Sequence, residues 1–113
     1  MQIKKITTRV QWSDDHEKEV AVLWFFFLNK QVKGEKVVKS KYYQALADKQ
    51  GRSKGSIETK LMNCSAIAQE NGLPAVKGYK ALSNYSKSMK VNFELILREF
   101  ANTEAKPDLS IAS

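Results

Sequence analysis

The segment from Leu46 to Ile57, LADKQGRSKGSI, constrains the fold most strongly because it has the pattern of two short helices joined at a tight turn. Ala47 lies four residues before Gly51, and the β-branched Ile57 lies six residues after it. This spacing favours a helix-turn-helix, in which the two helices pack across the turn. In DNA-binding versions of the motif the second helix enters the major groove. Short helix pairs with a glycine at the turn also occur in domains that bind no DNA.

The chain has 113 residues, enough for one small domain with a single hydrophobic core. Apolar residues make up 42% of it, so we expect folding without covalent cross-links. The only cysteine, Cys64, excludes an internal disulfide and a zinc site built from cysteines alone. We expect one helix-turn-helix domain over residues 1–102 and a flexible tail over residues 103–113.

The positive charge is concentrated in one part of the sequence. The formal net charge is +7, and residues 30–60 contribute nine basic against three acidic side chains, which gives +6. Residues 1–29 sum to zero, residues 61–102 to +2 and the remaining tail to −1. A focused excess indicates a polyanionic partner, whereas a diffuse one would indicate only solubility. Lysines also cluster by chance on solvated faces, which is the alternative explanation.

The hydrophobic periodicity predicts a mainly α domain of about four helices that contains a helix-turn-helix, with a possible short β element. The predicted helices cover about residues 14–29, 41–50, 54–70 and 86–102. Ser13, Ser40 and Ser53 are the expected N-caps of the first three helices. The loop over residues 73–82 is a candidate wing, and residues 2–11 and 37–38 are candidate short strands.

The first predicted helix is apolar on nearly every face in its second half, which is typical of a central helix. Its aromatic cluster, Trp24 to Phe27, could form an exposed interaction patch, but we expect it to lie in the core. The apolar run from Val20 to Leu28 has nine residues, far fewer than a membrane span needs. The N-terminus lacks the features of a signal peptide, so we expect a cytoplasmic protein with no membrane partner.

The buried stripe of the third helix decides which of its residues face outward. Ile57, Leu61 and Cys64 recur at helical spacing and predict the buried side. Residues at the N-terminus of a recognition helix reach base edges, while flanking lysines and arginines contact phosphates. The expected groove contacts are Ser53, Lys54, Glu58 and Thr59, and Gly55 would let the helix start approach a backbone closely. The expected backbone contacts are Arg52 and Lys60, and the further expected DNA-binding residues are Asn63, Lys39 and Lys41.

Catalysis has little support in the sequence. His16 is the only histidine, and it lies beside Asp14, Asp15 and Glu17 at the start of the first predicted helix. This cluster is more typical of a solvated acidic helix start than of a metal site. A metal-dependent nuclease site can consist of an Asp followed by Glu-x-Lys on paired strands. This arrangement is also missing from the sequence. We therefore expect no catalytic residues, no metal and no cofactor.

Several short motifs together resemble a known bacterial module. These are Ala45-Leu46-Ala47, the run from Gly51 to Asn63, Gly72-Leu73-Pro74 and Gly78-Tyr79-Lys80, preceded by Trp12-Ser13. They are similar to the small N-terminal domain that precedes the nuclease domain in many bacterial restriction endonucleases of the HNH class, including modification-dependent ones. The resemblance extends over roughly residues 12–100.

The resemblance implies a helical, winged-helix-like reader that presents duplex DNA to a nuclease. Its reading helix would run from Ser53 to Asn63, with Arg52, Lys54 and Lys60 as DNA contacts. The nuclease half, rich in histidine and asparagine, is absent from these residues, so the resemblance implies a dissected domain or a free-standing relative with a role in restriction or defence. A small transcriptional regulator, or a phage or bacterial protein-binding inhibitor or adaptor, is the alternative, with a protein or a nuclease domain as partner.

Overall fold

Four helices make up the regular structure of residues 10–112. The computed structural model describes the backbone of residues 10–112 and the side chains of residues 10–102. The helices are α1 (Asp14–Val32), α2 (Lys39–Gln50), α3 (Lys54–Glu70) and α4 (Lys87–Ala112), and no strand occurs between residues 10 and 112. The predicted mainly α class is confirmed. The β element is not confirmed, and most of the candidate strand at residues 2–11 lies outside the described residues.

The helix ends follow local signals at most positions. The Ser13 hydroxyl accepts a hydrogen bond from the His16 amide at 3.1 Å, and Ser53 caps α3 in the same way, so both predicted N-caps are confirmed. Gly51 ends α2 in the left-handed conformation, with φ of 71°, which costs a glycine little. The prediction of Ser40 as an N-cap is wrong, because the extended residue Val38 occupies that position and provides no side-chain bond.

Two helices are longer than the periodicity predicted. Helix α1 continues to Val32 instead of ending near Asn29, and α4 continues to Ala112 instead of ending near Asn102. The residues that extend α4 include Glu104, Ala105 and Lys106, which are strong helix formers. The flexibility of the tail over residues 103–113 stays a prediction.

Helix α1 lies at the centre and packs against the other three helices. Its Trp24 ring makes edge contacts with Phe25 at 5.1 Å and with Phe93 of α4 at 5.4 Å. Trp24, Phe25 and Phe27 are buried, while Phe26 is partly buried, so most of the aromatic cluster belongs to the core as predicted. Between residues 10 and 112, no helix combines the length and hydropathy that a membrane span requires.

Helix α3 crosses this core and is almost entirely enclosed in its second half. Every residue from Asn63 to Ala68 is buried, and Cys64 has no exposed surface. Burial raises the pKa of the Cys64 thiol, so this side chain acts as a small core residue rather than a nucleophile. The outer surface of α3 therefore consists of its first two turns with Met62 and of Gln69 and Glu70 at its C-terminal end.

We expect Ser65→Ala to destabilise the protein by about 1–3 kcal/mol. The indole nitrogen of Trp24 donates to the Ser65 hydroxyl at 3.0 Å, and both groups are buried. Alanine leaves this N–H without a partner inside the core. Guanidinium denaturation measures the loss, with Ser83→Ala at an exposed position as the matched control. Equal stability of the two variants would show that the Trp24 hydrogen bond contributes little.

Candidate nucleic-acid interface

Helices α2 and α3 are joined by a turn of three residues, Gly51 to Ser53. The Arg52 amide donates to the Ala47 carbonyl at 3.0 Å and closes the end of α2. The side chains of Ala47 and Ile57 are fully buried where the two helices meet. The apolar residues on either side of Gly51 thus pack as their spacing predicts.

The first half of α3 carries the exposed side chains. We call this surface the α3 face; it comprises Ser53, Lys54, Gly55, Glu58, Thr59 and Met62, all exposed or partly exposed. The Ser53 hydroxyl is also bonded to the Ser56 amide, at 3.2 Å, so it stabilises the start of the helix. The other three expected groove contacts, Lys54, Glu58 and Thr59, reach the surface without such a backbone bond, as does Gly55. A helix start with free amides also suits a phosphate oxygen.

Arg52, an expected phosphate contact, is instead held by internal partners. Its Nε donates to Gln50 at 2.8 Å, and one Nη donates to the Val10 carbonyl at 3.0 Å. The other Nη donates to the Gln11 carbonyl at 3.2 Å and lies 2.8 Å from His16 Nδ1. Because a guanidinium can only donate, that histidine nitrogen is the acceptor. Arg52 therefore fastens the segment before α1 to the turn between α2 and α3.

Trp12 strengthens the same attachment. The Arg52 guanidinium lies 3.6 Å from the centre of the Trp12 ring, and Lys60 Nζ lies 4.7 Å from it. Cation–π contacts of this kind stabilise by about 0.5–1 kcal/mol at exposed sites and more when desolvated. The tryptophan that opens the predicted motif thus contacts two of the predicted DNA contacts, the partly exposed Arg52 and the buried Lys60.

Arg52→Ala should lower the free energy of unfolding by about 2–3 kcal/mol, since it removes charged hydrogen bonds and a cation–π contact together. Thermal unfolding followed by circular dichroism measures the change. Lys54→Ala, two residues away and exposed, is the control and should change stability by less than about 0.5 kcal/mol. If the two variants have the same melting temperature, the contacts of Arg52 do not stabilise the protein as described above.

Lys60 does not face outward as expected. It is 8% exposed, and its Nζ lies 3.3 Å from Glu17 Oε2 on α1. The same carboxylate accepts from Asn92 Nδ2 at 2.8 Å and from the Ser88 hydroxyl at 3.2 Å. Removing a buried charge from water costs several kcal/mol unless the charge is paired and hydrogen-bonded. Lys60 therefore belongs to a buried polar network that joins α1, α3 and α4.

Asn63 is also turned inward, because it is only 4% exposed. Its Nδ2 donates to the Leu82 carbonyl at 2.7 Å and to Asn84 Oδ1 at 3.2 Å. The Leu82 amide in turn donates to the Met62 carbonyl at 3.1 Å. These bonds hold the loop before α4 against the middle of α3.

The two lysines at the start of α2 lie on different sides of that helix. Lys39 is one turn before Tyr43, whose ring lies 5.8 Å from Lys54 Nζ, so Lys39 shares the side that faces α3. Lys41 is exposed and projects about 200° away from Tyr43 around the helix. Helical spacing therefore puts Lys39 on the side of α2 that faces α3 and puts Lys41 on a different side.

A tyrosine-lined edge flanks the α3 face on the side of α2. The Tyr43 hydroxyl is hydrogen-bonded to the Glu58 carboxylate, which raises the pKa of Tyr43. Tyr79, from the loop after α3, is buried, and its pKa is raised by burial and by the nearby Tyr43 and Glu58.

A hollow of about 500 Å³ between Met62 and residues 75–80 continues this edge and brings the exposed Lys77 and Lys80 beside α3.

A second, more polar hollow of about 480 Å³ lies on the other side of the α3 face. Its lining consists of Trp12, Gly55, Ser56, Thr59, Lys60 and Asn63. The first half of α3 is thus a ridge between two depressions. Among the described side chains, no group of three or more His, Cys, Asp or Glu residues is arranged to hold a metal ion.

The sequence reasoning missed the network around Glu17. Asn92 and Ser88 lie more than 70 residues from Glu17 along the chain, and no local spacing connects them. One feature of the sequence could have indicated this network: Glu17 lies one turn before the apolar run of a helix predicted to be central. A carboxylate at that position is buried when the helix packs, and a buried carboxylate needs a cation nearby.

No family model, curated protein or solved structure matches this chain.

Proposed function

We propose that this protein binds double-stranded DNA, with the α3 face directed into the major groove. The observation that supports this most is that α3 exposes side chains over its first two turns, beside a three-residue turn, whereas residues 63–68 of the same helix are all buried. Helix-turn-helix proteins use the N-terminal residues of the second helix for base contacts. The enclosed second half of α3 provides a rigid support for such contacts.

The distribution of unpaired lysines also supports a polyanionic partner. Of the nine basic residues between 30 and 60, four are bound internally: Lys30 to Glu35, Lys49 to Glu19, Lys60 to Glu17, and Arg52 to its several acceptors. Lys39 and Lys54 form no ion pair with a described residue. Lys54 belongs to the α3 face, and Lys39 is on the side of α2 that faces α3. Lys77 and Lys80 are exposed on the flanking loop. We assign phosphate contacts to these four lysines.

The loop between α3 and α4 takes the place of a wing in this proposal. It is fixed to α3 by the Leu82–Met62 and Asn63–Leu82 bonds and carries two exposed lysines toward the same side. A loop held in this way contacts the DNA backbone next to the groove that the helix enters. The winged-helix-like arrangement and a role in restriction or defence rest on the sequence resemblance.

Fluorescence anisotropy with a labelled duplex tests the proposal. Four phosphate contacts predict a slope of about −3.6 for log K against log salt concentration, since each contributes about −0.9. Affinity should then fall roughly a hundredfold between 50 and 200 mM salt. Binding that is absent at low salt, or that does not change with salt, would refute the assignment.

The alternative function is that of a protein-binding inhibitor or adaptor, and one observation favours it. A mainly apolar groove of about 600 Å³ lies between α1 and α4, lined by Phe25, Phe26, Leu97 and Phe100 among others. Val22 and Val32 at this groove are 43% and 71% exposed. Exposed apolar patches often mark protein-protein contacts. Val32→Glu should abolish partner binding in that case and leave duplex affinity unchanged.

A further inference from the structure

Glu58 is an unusual residue for a surface that meets DNA. It is the acidic member of the α3 face, and it stands one helical turn after Lys54. No lysine or arginine in the described part of the chain forms an ion pair with it. A carboxylate in this position repels phosphates, so its presence needs a compensating interaction in a DNA complex.

The neighbours of Glu58 hold it in place without neutralising it. The Tyr43 hydroxyl is bonded to its carboxylate, and Lys54 lies over the Tyr43 ring instead of pairing with the acid. Tyr79, which stacks on Phe27 and lies near Tyr43 and Glu58, has a hydroxyl with no hydrogen-bond partner among the described residues. The carboxylate of Glu58 thus keeps accepting capacity that no side chain of the described protein uses.

The edges of the bases differ in what they offer such an acceptor. In the major groove, cytosine presents the N4 amino donor, and guanine presents two acceptors that repel a carboxylate. Thymine presents an acceptor and a methyl group. Adenine presents an amino donor, but its adjacent N7 acceptor repels the second carboxylate oxygen. Cytosine is therefore the base that a fixed carboxylate fits best.

We propose that Glu58 is a specificity-determining residue of the α3 face that accepts a hydrogen bond from the N4 amino group of cytosine, with Tyr43 as its positioning residue. This inference rests on the proposed binding of duplex DNA. The favourable contact with one base offsets the repulsion that Glu58 exerts on the phosphates. Lys39, Lys54, Lys77 and Lys80 supply the affinity that does not depend on sequence.

Selection from a pool of duplexes with randomised positions tests this assignment. The unaltered protein should enrich cytosine at one position. Glu58→Gln should shift that position toward adenine, which pairs with a glutamine amide through N6 and N7, with a change in the C-to-A ratio of about tenfold or more. Tyr43→Phe should weaken the cytosine preference with little change in overall affinity, because it removes the bond that orients the carboxylate.

Asp15→Asn is the matched control, since it removes one negative charge at an exposed site on α1. It should raise affinity slightly on every sequence and leave the cytosine preference intact. A preference that survives in Glu58→Gln, or salt-dependent binding with no preference at all, would overturn the role of Glu58 and leave the DNA-binding proposal standing. Absence of duplex binding by the unaltered protein would overturn both, and the anisotropy titration detects this separately. Melting curves of all variants confirm that each is folded.

Discussion

Replacing Glu17 with alanine should lower the free energy of unfolding by about 3–5 kcal/mol. The carboxylate is 2% exposed and accepts hydrogen bonds from Lys60, Ser88 and Asn92. Without it, the Lys60 ammonium is left in the core with no counter-charge, and two further donors lose their acceptor. Urea or guanidinium denaturation gives the change directly. For a domain of this size we expect the melting temperature to fall by more than 10 °C.

Two further variants distinguish the effect of leaving a buried charge unpaired from the effect of losing side-chain volume. Asp15→Ala removes an exposed acid from the same first turn of α1 and should cost at most about 1 kcal/mol. The double variant Glu17→Leu with Lys60→Met removes both charges and should recover most of the stability, because apolar residues often replace a buried ion pair without loss. A Glu17→Ala variant as stable as Asp15→Ala would contradict the network.

Reversing the charge of Lys54 on the α3 face and of Lys80 beside it, in the variant Lys54→Glu with Lys80→Glu, should weaken duplex binding by about a hundredfold at moderate salt. Each reversal removes a phosphate contact and introduces repulsion. The salt slope should fall from about −3.6 to about −1.8, since two of the four proposed contacts remain. Both side chains are exposed and form no ion pair with a described residue, so stability should change little.

The control for this prediction carries the same change in net charge at positions away from the α3 face. Lys41→Glu with Arg98→Glu alters two exposed basic residues. Lys41 lies on the far side of α2 from Tyr43. Arg98 is one helical turn after Glu94, and Glu94 contacts Asn71 at the C-terminal end of α3, which is the end opposite the α3 face. This variant should lose no more than about tenfold in affinity and keep most of the salt slope. Equal losses in both double variants would show that binding reflects net charge alone.

Local signals in the sequence predicted the helices well. Ser13 and Ser53 cap helices because a serine hydroxyl bonds an amide in the first turn, and Gly51 ends α2 because it accepts a positive φ. Ser40 was wrongly predicted to be an N-cap, because a serine within the first turn of a helix has the same local sequence pattern as a serine at the cap. Such ambiguities shift a boundary by only one or two residues.

The candidate site was harder to predict because polar residues also turn inward when a distant partner is present. Lys60 and Asn63 lie outside the apolar stripe of α3, and an amphipathic helix would expose them. Helix α3 is instead enclosed on several sides, so both are buried, bonded to Glu17 and Leu82, respectively. Arg52 turns inward because the carbonyls of Val10 and Gln11 lie beside the turn. A charge reversal at Lys60 would therefore test the fold and not the DNA surface.

Titration of a short duplex into isotope-labelled protein, followed by amide NMR shifts, tests most directly whether α3 faces DNA. We expect the largest shifts at residues 53–62, at Tyr43 and at residues 77–80, reduced at high salt. Residues that line the apolar groove, such as Val22 and Leu97, should keep their shifts. Shifts concentrated at that groove, or no shifts at low salt, would contradict DNA binding through the first half of α3.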